Sequence, residues 1–224
     1  MAVKKKTAKK VVTKPQKKFS LNLVLLGDPG AGKATQAAYF AKKYNMFDFD
    51  MGRELTLIRE KNESIDKIQK RTADKGILTP TSIVRGINKK IVLGLPKSKS
   101  ILFDGHPKMV GEAKIIAKYL KETNRTKPLV LFIRIPTDEV VKRIQARKGY
   151  SNTKFNKRAD DSKTALRNRA KYYRKNIAEV VDFFKNTYTF ANINGMGTRA
   201  EVQKRIQKAI DFYIKNYGQI YKNS

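Results

Sequence analysis

The chain has 224 residues, 40% of them apolar, with 50 basic against 19 acidic side chains and a formal net charge of +31. That length fits one globular domain with small inserted lobes, and the charge draws polyanions: nucleotides, RNA or an anionic surface. With no cysteine and a lone histidine, His106, the composition excludes disulfides, thiol catalysis and His/Cys metal clusters, and no run reaches the 18 apolar residues of a membrane helix.

Residues 1–18, MAVKKKTAKKVVTKPQKK, hold eight lysines and no acid. They lack the apolar stretch of a secretory signal and the arginine-bearing stripe of a transit peptide. Residues 1–19 therefore read as a disordered tail on a cytoplasmic protein, with no membrane contact. LNLVLL (21–26) reads as a strand, followed by a glycine-rich turn and a helix over about 33–44. Phe47–Asp50 suits a short second strand, and helical patterns follow near 52–60 and 63–74. A helix over 80–93 opens at Thr79-Pro80, because proline suits a first helical turn. Then come strand 100–104 (SILFD), helix 109–122, strand 129–135 (LVLFIRI) and helix 137–146. A polar stretch, KGYSNTKFNK (148–157), interrupts the pattern. A long helix runs from about 160 to 185, with a strand at 188–193. The last helix starts at Thr198, where Glu201 three residues on makes a capping box, and it ends before Gly218.

Alternation of apolar strands with helices predicts an α/β fold: a parallel sheet with helices on both faces. In such sheets ligands bind beyond the carboxyl ends of the strands. GDPGAGKATQ (27–36) lies at the end of the first strand, and Asp104-Gly105 at the end of SILFD. Gly27, Gly30 and Gly32 let the backbone wrap closely, and their amides with the next helix N-terminus form an anion nest. Lys33 reaches phosphates as a mobile point charge. The general phosphate-loop pattern places a hydroxyl residue directly after the lysine. Here Ala34 stands there and Thr35 comes one place later.

That spacing resembles the loop of the adenylate kinase family of nucleoside monophosphate kinases, G-x-P-G-x-G-K-G-T-Q. The resemblance extends in order through DMGREL (50–55), KGILT (75–79), ILFDGHPK (101–108), RIPTDEVVKRIQAR (134–147), RADDSKTALRNR (158–169) and INGMGTRAEV (193–202). It implies a phosphate-loop sheet of five parallel strands within a single kinase domain, residues 20–217. A monophosphate-binding lobe would span about 50–79 and a short lid about 148–157, with residues 218–224 a C-terminal tail. It implies that ATP phosphates bind Gly30, Ala31, Gly32, Lys33, Ala34 and Thr35, and that Asp104 orders the waters of a Mg²⁺ ion. Arg143 would lie against the donor adenine, with Gly197 touching that base through its backbone. Lys33, Arg143, Arg147, Arg158 and Arg169 form the catalytic set, Arg147 also on the ATP side. The acceptor monophosphate would meet Met51, Arg53, Thr56, Ile77, Leu78, Thr79, Gly105, Lys108, Glu112, Arg158 and Arg169. The physics agrees, since phosphoryl transfer asks for positioning and a ring of cations more than for a tuned general base.

The departures from the family pattern gather on the acceptor side. Thr56 stands where the family has an arginine, and Lys108 where the family has an arginine fork. Met51 replaces a threonine, and Glu112 replaces the glutamine that reads adenine. A carboxylate only accepts, which would suit the two donors of a guanine edge. Arg53 is an added arginine that reads as a surface residue or a substitute grip, and His106 replaces a phenylalanine. Met51, Tyr172 and Tyr173 read as packing. The expected function is Mg-dependent transfer of the ATP γ-phosphoryl group to a nucleoside monophosphate, AMP first, by a monomer. Alternatives are GMP or another acceptor, or a weakened phosphate-loop protein that binds RNA or ribosomes through its basic surface. The lysine tail is a candidate for weak nucleic-acid contact, although no RNA-reading motif and no interleaved aromatics mark the sequence.

Overall fold

A computed structural model describes residues 20–72, 77–146 and 163–217. Five strands, β1 (Leu23–Gly27), β2 (Phe47–Asp50), β3 (Ile101–Asp104), β4 (Leu129–Arg134) and β5 (Phe190–Asn194), form one sheet in the order β2-β3-β1-β4-β5. Every pair is parallel, with Leu23 opposite both Leu102 and Leu129, and Asp50 opposite Asp104. The helices are α1 (Lys33–Lys43), α2 (Met51–Arg59), α3 (Glu63–Arg71), α4 (Thr81–Gly94), α5 (Val110–Glu122), α6 (Thr137–Ala146), α7 (Lys163–Thr187) and α8 (Arg199–Tyr217). The five-stranded α/β architecture expected from the sequence is therefore present.

Alternate residues of one strand feed two cores. Val24, Leu26, Phe103, Val130 and Phe132 face α4, α5 and α7, while Leu23, Leu25, Leu102, Leu129 and Leu131 face α1 and α8. Because both faces are covered, the strands read as unbroken apolar runs rather than as alternating patterns. In α7 the buried Tyr173, Ile177, Val180, Val181 and Phe184 recur at helical spacing, as do Val202, Ile206, Ile210 and Tyr213 in α8.

Local signals set the helix starts. Asp50 caps α2 by accepting from the amides of Gly52 at 2.8 Å and Arg53 at 3.3 Å. The Thr198–Glu201 capping box forms: the Thr198 amide donates to Glu201 Oε2 at 2.6 Å and the Glu201 amide to Thr198 Oγ1 at 3.3 Å. Pro80 differs from expectation. Its ψ of 134° is extended, so it is the cap of α4 and not its first helical residue, and its carbonyl accepts from the Ile83 amide at 3.1 Å. The last strand starts two residues later than expected, because the Tyr188 amide still donates to the Phe184 carbonyl of α7.

The two crossovers at the amino ends of β3 and β4 are joined by Arg125. Its guanidinium donates to the carbonyls of Leu95, Pro96, Lys97 and Lys99, the tightest at 2.6 Å to Lys99. Asn22 continues the seam, donating to the Thr126 carbonyl at 2.9 Å and accepting from the Ile101 amide at 2.9 Å.

Candidate functional site

Three strands, β1, β3 and β4, end side by side, and the loops that follow them surround one crevice. The loop after β1 leaves the sheet at Gly27, where a Cβ would sit 2.5 Å from the Ile133 carbonyl oxygen of β4. Gly30 and Gly32 have φ of 79° and 83°, the left-handed region that glycine enters without penalty. Gly32 caps α1 and no side chain covers that cap, so the first amides of α1 are oriented as an anion nest. Lys33 Nζ closes the loop from inside, donating to the carbonyls of Gly27 at 2.8 Å and Asp28 at 3.0 Å.

Three residues from elsewhere in the chain, Ile135, Tyr173 and Arg174, hold this loop. Asp28, buried, accepts from the Ile135 amide at 3.1 Å and pairs with Arg174 of α7 at 3.6 Å. The Gly27 amide donates to the Tyr173 hydroxyl at 3.3 Å, and Lys33 Nζ lies 6.0 Å from the centre of that ring. Burial raises the Tyr173 phenol well above its ordinary value, so it stays neutral against the loop. Tyr173 is thus more than the packing residue that its sequence suggested. Gly195, after β5, is forced by closeness: a Cβ there would stand 2.7 Å from Ile133 and 2.9 Å from Ile135 side-chain carbons.

Across the crevice, Asp104 is 5% exposed at the end of β3, beside Asp50 and Asp48 of β2. Burial pushes its carboxyl up to about 6, against the pull of Lys33 and with a smaller push from Asp50 and Asp48. This carboxyl is poised for a positive partner. The sign of its pH effect follows. An ordinary value of 3.8 raised to about 6 means that the folded chain binds this proton more tightly than the unfolded one. The nucleotide-free protein should therefore gain stability as pH falls from above 6 toward 4. Asp104→Asn should raise stability at pH 7.5 by about 1–3 kcal/mol and leave it unchanged near pH 3.5. Urea melts of both proteins at the two pH values check this.

Arg143 and the loop before Gly197, both expected beside the donor base, come together. Arg143 donates to Glu139 at 2.6 Å and to the Gly195 carbonyl at 3.1 Å, with its other nitrogen 3.8 Å from Met196 Sδ. Gly197 has φ of 96°, and a Cβ there would run into the Glu201 carboxylate of the capping box. Arg147, Arg158 and the lid segment 148–157 lie outside the described residues, as does the side chain of Arg169, whose backbone is in α7.

Among the residues expected to meet the acceptor, Met51 at the start of α2 is buried in the core, and Thr56 Oγ1 donates back to the Gly52 carbonyl at 3.0 Å. Arg53 turns to Asp48, bonding its carbonyl and lying 3.4 Å from its carboxylate. Thr79 exchanges hydrogen bonds with Gln69 of α3, which pins the 77–80 segment, and Ile77 is exposed. Gly105 has φ of 74°, and a Cβ there would meet Asp50 Oδ1 at 3.9 Å. His106 packs edge-on against Phe49 at 4.4 Å, and burial lowers its imidazole to about 3, so it serves as a neutral aromatic in the place of phenylalanine. Glu112 is buried, and its Oε2 accepts from the Lys108 amide at 2.7 Å, one half of a capping box at the start of α5. Burial raises its carboxyl above 4.5.

A sequence model of the family described as adenylate kinase matches residues 25–189, from the first strand to the start of the last. The chain belongs to the adenylate kinase family. Among its relatives are adenylate kinases of Flavobacterium psychrophilum, 31% identical over 85% of this chain and 98% of that one, and of Leptospira biflexa, 30% identical over 84% and 98%. The adenylate kinase of Bacteroides thetaiotaomicron is 29% identical over 85% and 98%. Family membership makes the chain a nucleoside monophosphate kinase of the phosphate-loop type, and the match takes in the glycine loop and Lys33. No helix among the described residues is long and apolar enough to cross a membrane.

Proposed function

We propose that the chain catalyses reversible, Mg²⁺-dependent transfer of the ATP γ-phosphoryl group to a nucleoside monophosphate, with AMP the first acceptor, as a cytoplasmic monomer. One observation carries the reading most: the nest closed by Lys33 faces Asp104 from the neighbouring strand end, a cation and a carboxylate poised around a polyphosphate. Gly30–Thr35 hold the ATP phosphates through backbone amides. Arg143 and Gly197 flank the donor base, since the Arg143 side chain already grips the loop that carries Gly197. Arg147, Arg158 and Arg169 surround the phosphoryl group in flight, where charge spreads over its oxygens. An acceptor phosphate oxygen attacks the γ-phosphorus in line as the bond to the ADP oxygen breaks.

The residues fit a divalent cation. Asp104 is a buried carboxyl flanked by two more, and among the described residues no cluster of three potential ligands forms an all-protein metal site. That donor set suits an ion kept mostly by waters and nucleotide, as Mg²⁺ is. When bound, Mg²⁺ would neutralise charge on the phosphates. Asp104 would orient its waters, and Lys33 would stay on the phosphates.

Glu112 keeps GMP as a second reading. Burial raises its carboxyl above its ordinary value, and one of its oxygens already accepts from the Lys108 amide. A carboxylate only accepts and matches the donor edge of guanine, whereas a glutamine offers one donor and one acceptor, as the family residue does. Glu112→Gln should therefore shift the acceptor preference toward AMP. A coupled assay of both proteins with Mg-ATP and AMP, GMP, CMP and UMP measures this; GMP outrunning AMP in the parent would defeat the first choice.

A further inference from the structure

The end of the sheet opposite the phosphate loop carries a second constellation. All five strands are parallel, so the helices that cross back between them finish at this end. Loops and last turns there present Lys43, Lys97, Lys99, Lys121, Lys127 and Lys185, all but Lys99 exposed. Within 95–100, 121–128 and 185–189 the one acidic residue is Glu122. Lysine in a last helical turn is favoured by the helix dipole alone. Lys97, Lys99 and Lys127 lie in loops where no dipole asks for them. The chain enters β1 on this same end, directly after the eight-lysine segment.

Aromatics gather here as well, where the sequence alone marked none. Tyr213 and Tyr217 of α8 stack with centroids 4.8 Å apart, and the Tyr213 hydroxyl donates to the Lys127 carbonyl. With Tyr188, Lys127, Lys185 and Asn186 they line a cleft of about 330 Å³. Tyr213 is buried, whereas Tyr217 is 38% exposed, so a flat ring can extend a stack that the protein has begun. Two cations and an amide rim that platform. Aromatic platforms within a cationic track bind single-stranded nucleic acid, since every base has a π-face and every linkage a phosphate. The cleft volume lies at the lower end of the range for organic ligand sites.

We propose that the Tyr188–Tyr213–Tyr217 cleft and the lysines around it form a binding surface for single-stranded RNA, opposite the catalytic crevice and independent of the choice of acceptor. The test uses the full chain and a fluorescein-labelled 20-mer of oligouridylate, followed by anisotropy between 50 and 200 mM KCl. Four neutralised phosphates would weaken binding about 50-fold over that range. Tyr217→Ala should weaken it at least about 5-fold while Tyr217→Phe restores it. The pair Lys97→Glu and Lys127→Glu should weaken it further and flatten the salt dependence. Lys33→Ala should bind RNA like the parent, and the tyrosine and lysine variants should phosphorylate the acceptor at the parent rate, which also shows that they fold. Equal affinity of Tyr217→Ala and parent would overturn the proposal, as would duplex RNA binding as tightly as the single strand. Loss of binding only on deletion of residues 1–18, with the cleft variants unaffected, would assign the effect to the lysine tail and overturn it too.

Discussion

Lys33→Ala is expected to lower kcat by roughly 10²–10³-fold with a smaller rise in KM, and to leave the fold intact. In the structure the ammonium bonds the Gly27 and Asp28 carbonyls, both within the loop. Those bonds are short-range and close to solvent, so their loss exposes the carbonyls to water and costs little stability. The catalytic loss is different in kind. A charge that follows the phosphoryl group stabilises the transition state more than the ground state, and removing it acts on kcat. Lys33→Arg should fail to rescue, because the loop admits a slim point charge and a planar fork does not fit between carbonyls 2.8 and 3.0 Å from one nitrogen. Steady-state kinetics with a melting curve for each variant decide the matter. A kcat within about threefold of the parent would remove Lys33 from the catalytic set.

The largest stability effect is expected at Arg125, far from the chemistry. Arg125→Ala should destabilise the protein by about 2–4 kcal/mol, as four carbonyls lose a charged donor and part of that surface stays shielded from water. For a chain of this size that amounts to a fall of roughly 5–15 °C in Tm. Arg125→Lys should recover part of it, since an ammonium has three donors and cannot span four acceptors spread along 95–99. Arg125 is only 7% exposed, and burial lowers its pKa, so those carbonyls offset its cost of desolvation. Specific activity per folded molecule should stay at the parent value. Calorimetry and kinetics at 20 °C separate the two effects.

The sequence was most legible where one residue type does one physical job. Apolar runs buried on both faces marked the strands, and the glycines with Lys33 marked the loop. Less legible were groups whose partners are distant in sequence. Asp28 meets Arg174 and Ile135, Gly27 meets Tyr173 across 146 positions, and Arg125 reads as one more cation in a basic chain. Glu112 looked like a base-reading residue only, yet one of its oxygens caps α5. Arg53 reads in the sequence as a surface residue or a substitute grip, and nothing there points to its pairing with Asp48. The tyrosines of the far cleft are separated in sequence and meet because α7 and α8 both end there. Strand edges shifted by a residue or two for equally local reasons: Leu21 and Asn22 are buried but precede the ladder, while Gly27 pairs with Ile133.

Helix α7 has 25 residues, a rod of about 37 Å. It carries Tyr173 and Arg174 against the phosphate loop at mid-length and brings Lys185 to the opposite pole in its last turn. Between those points Ile177, Val180, Val181 and Phe184 lock it into the core. That half of the helix is a beam, and it holds the phosphate loop and the far cleft at a set spacing of about 18 Å along its axis.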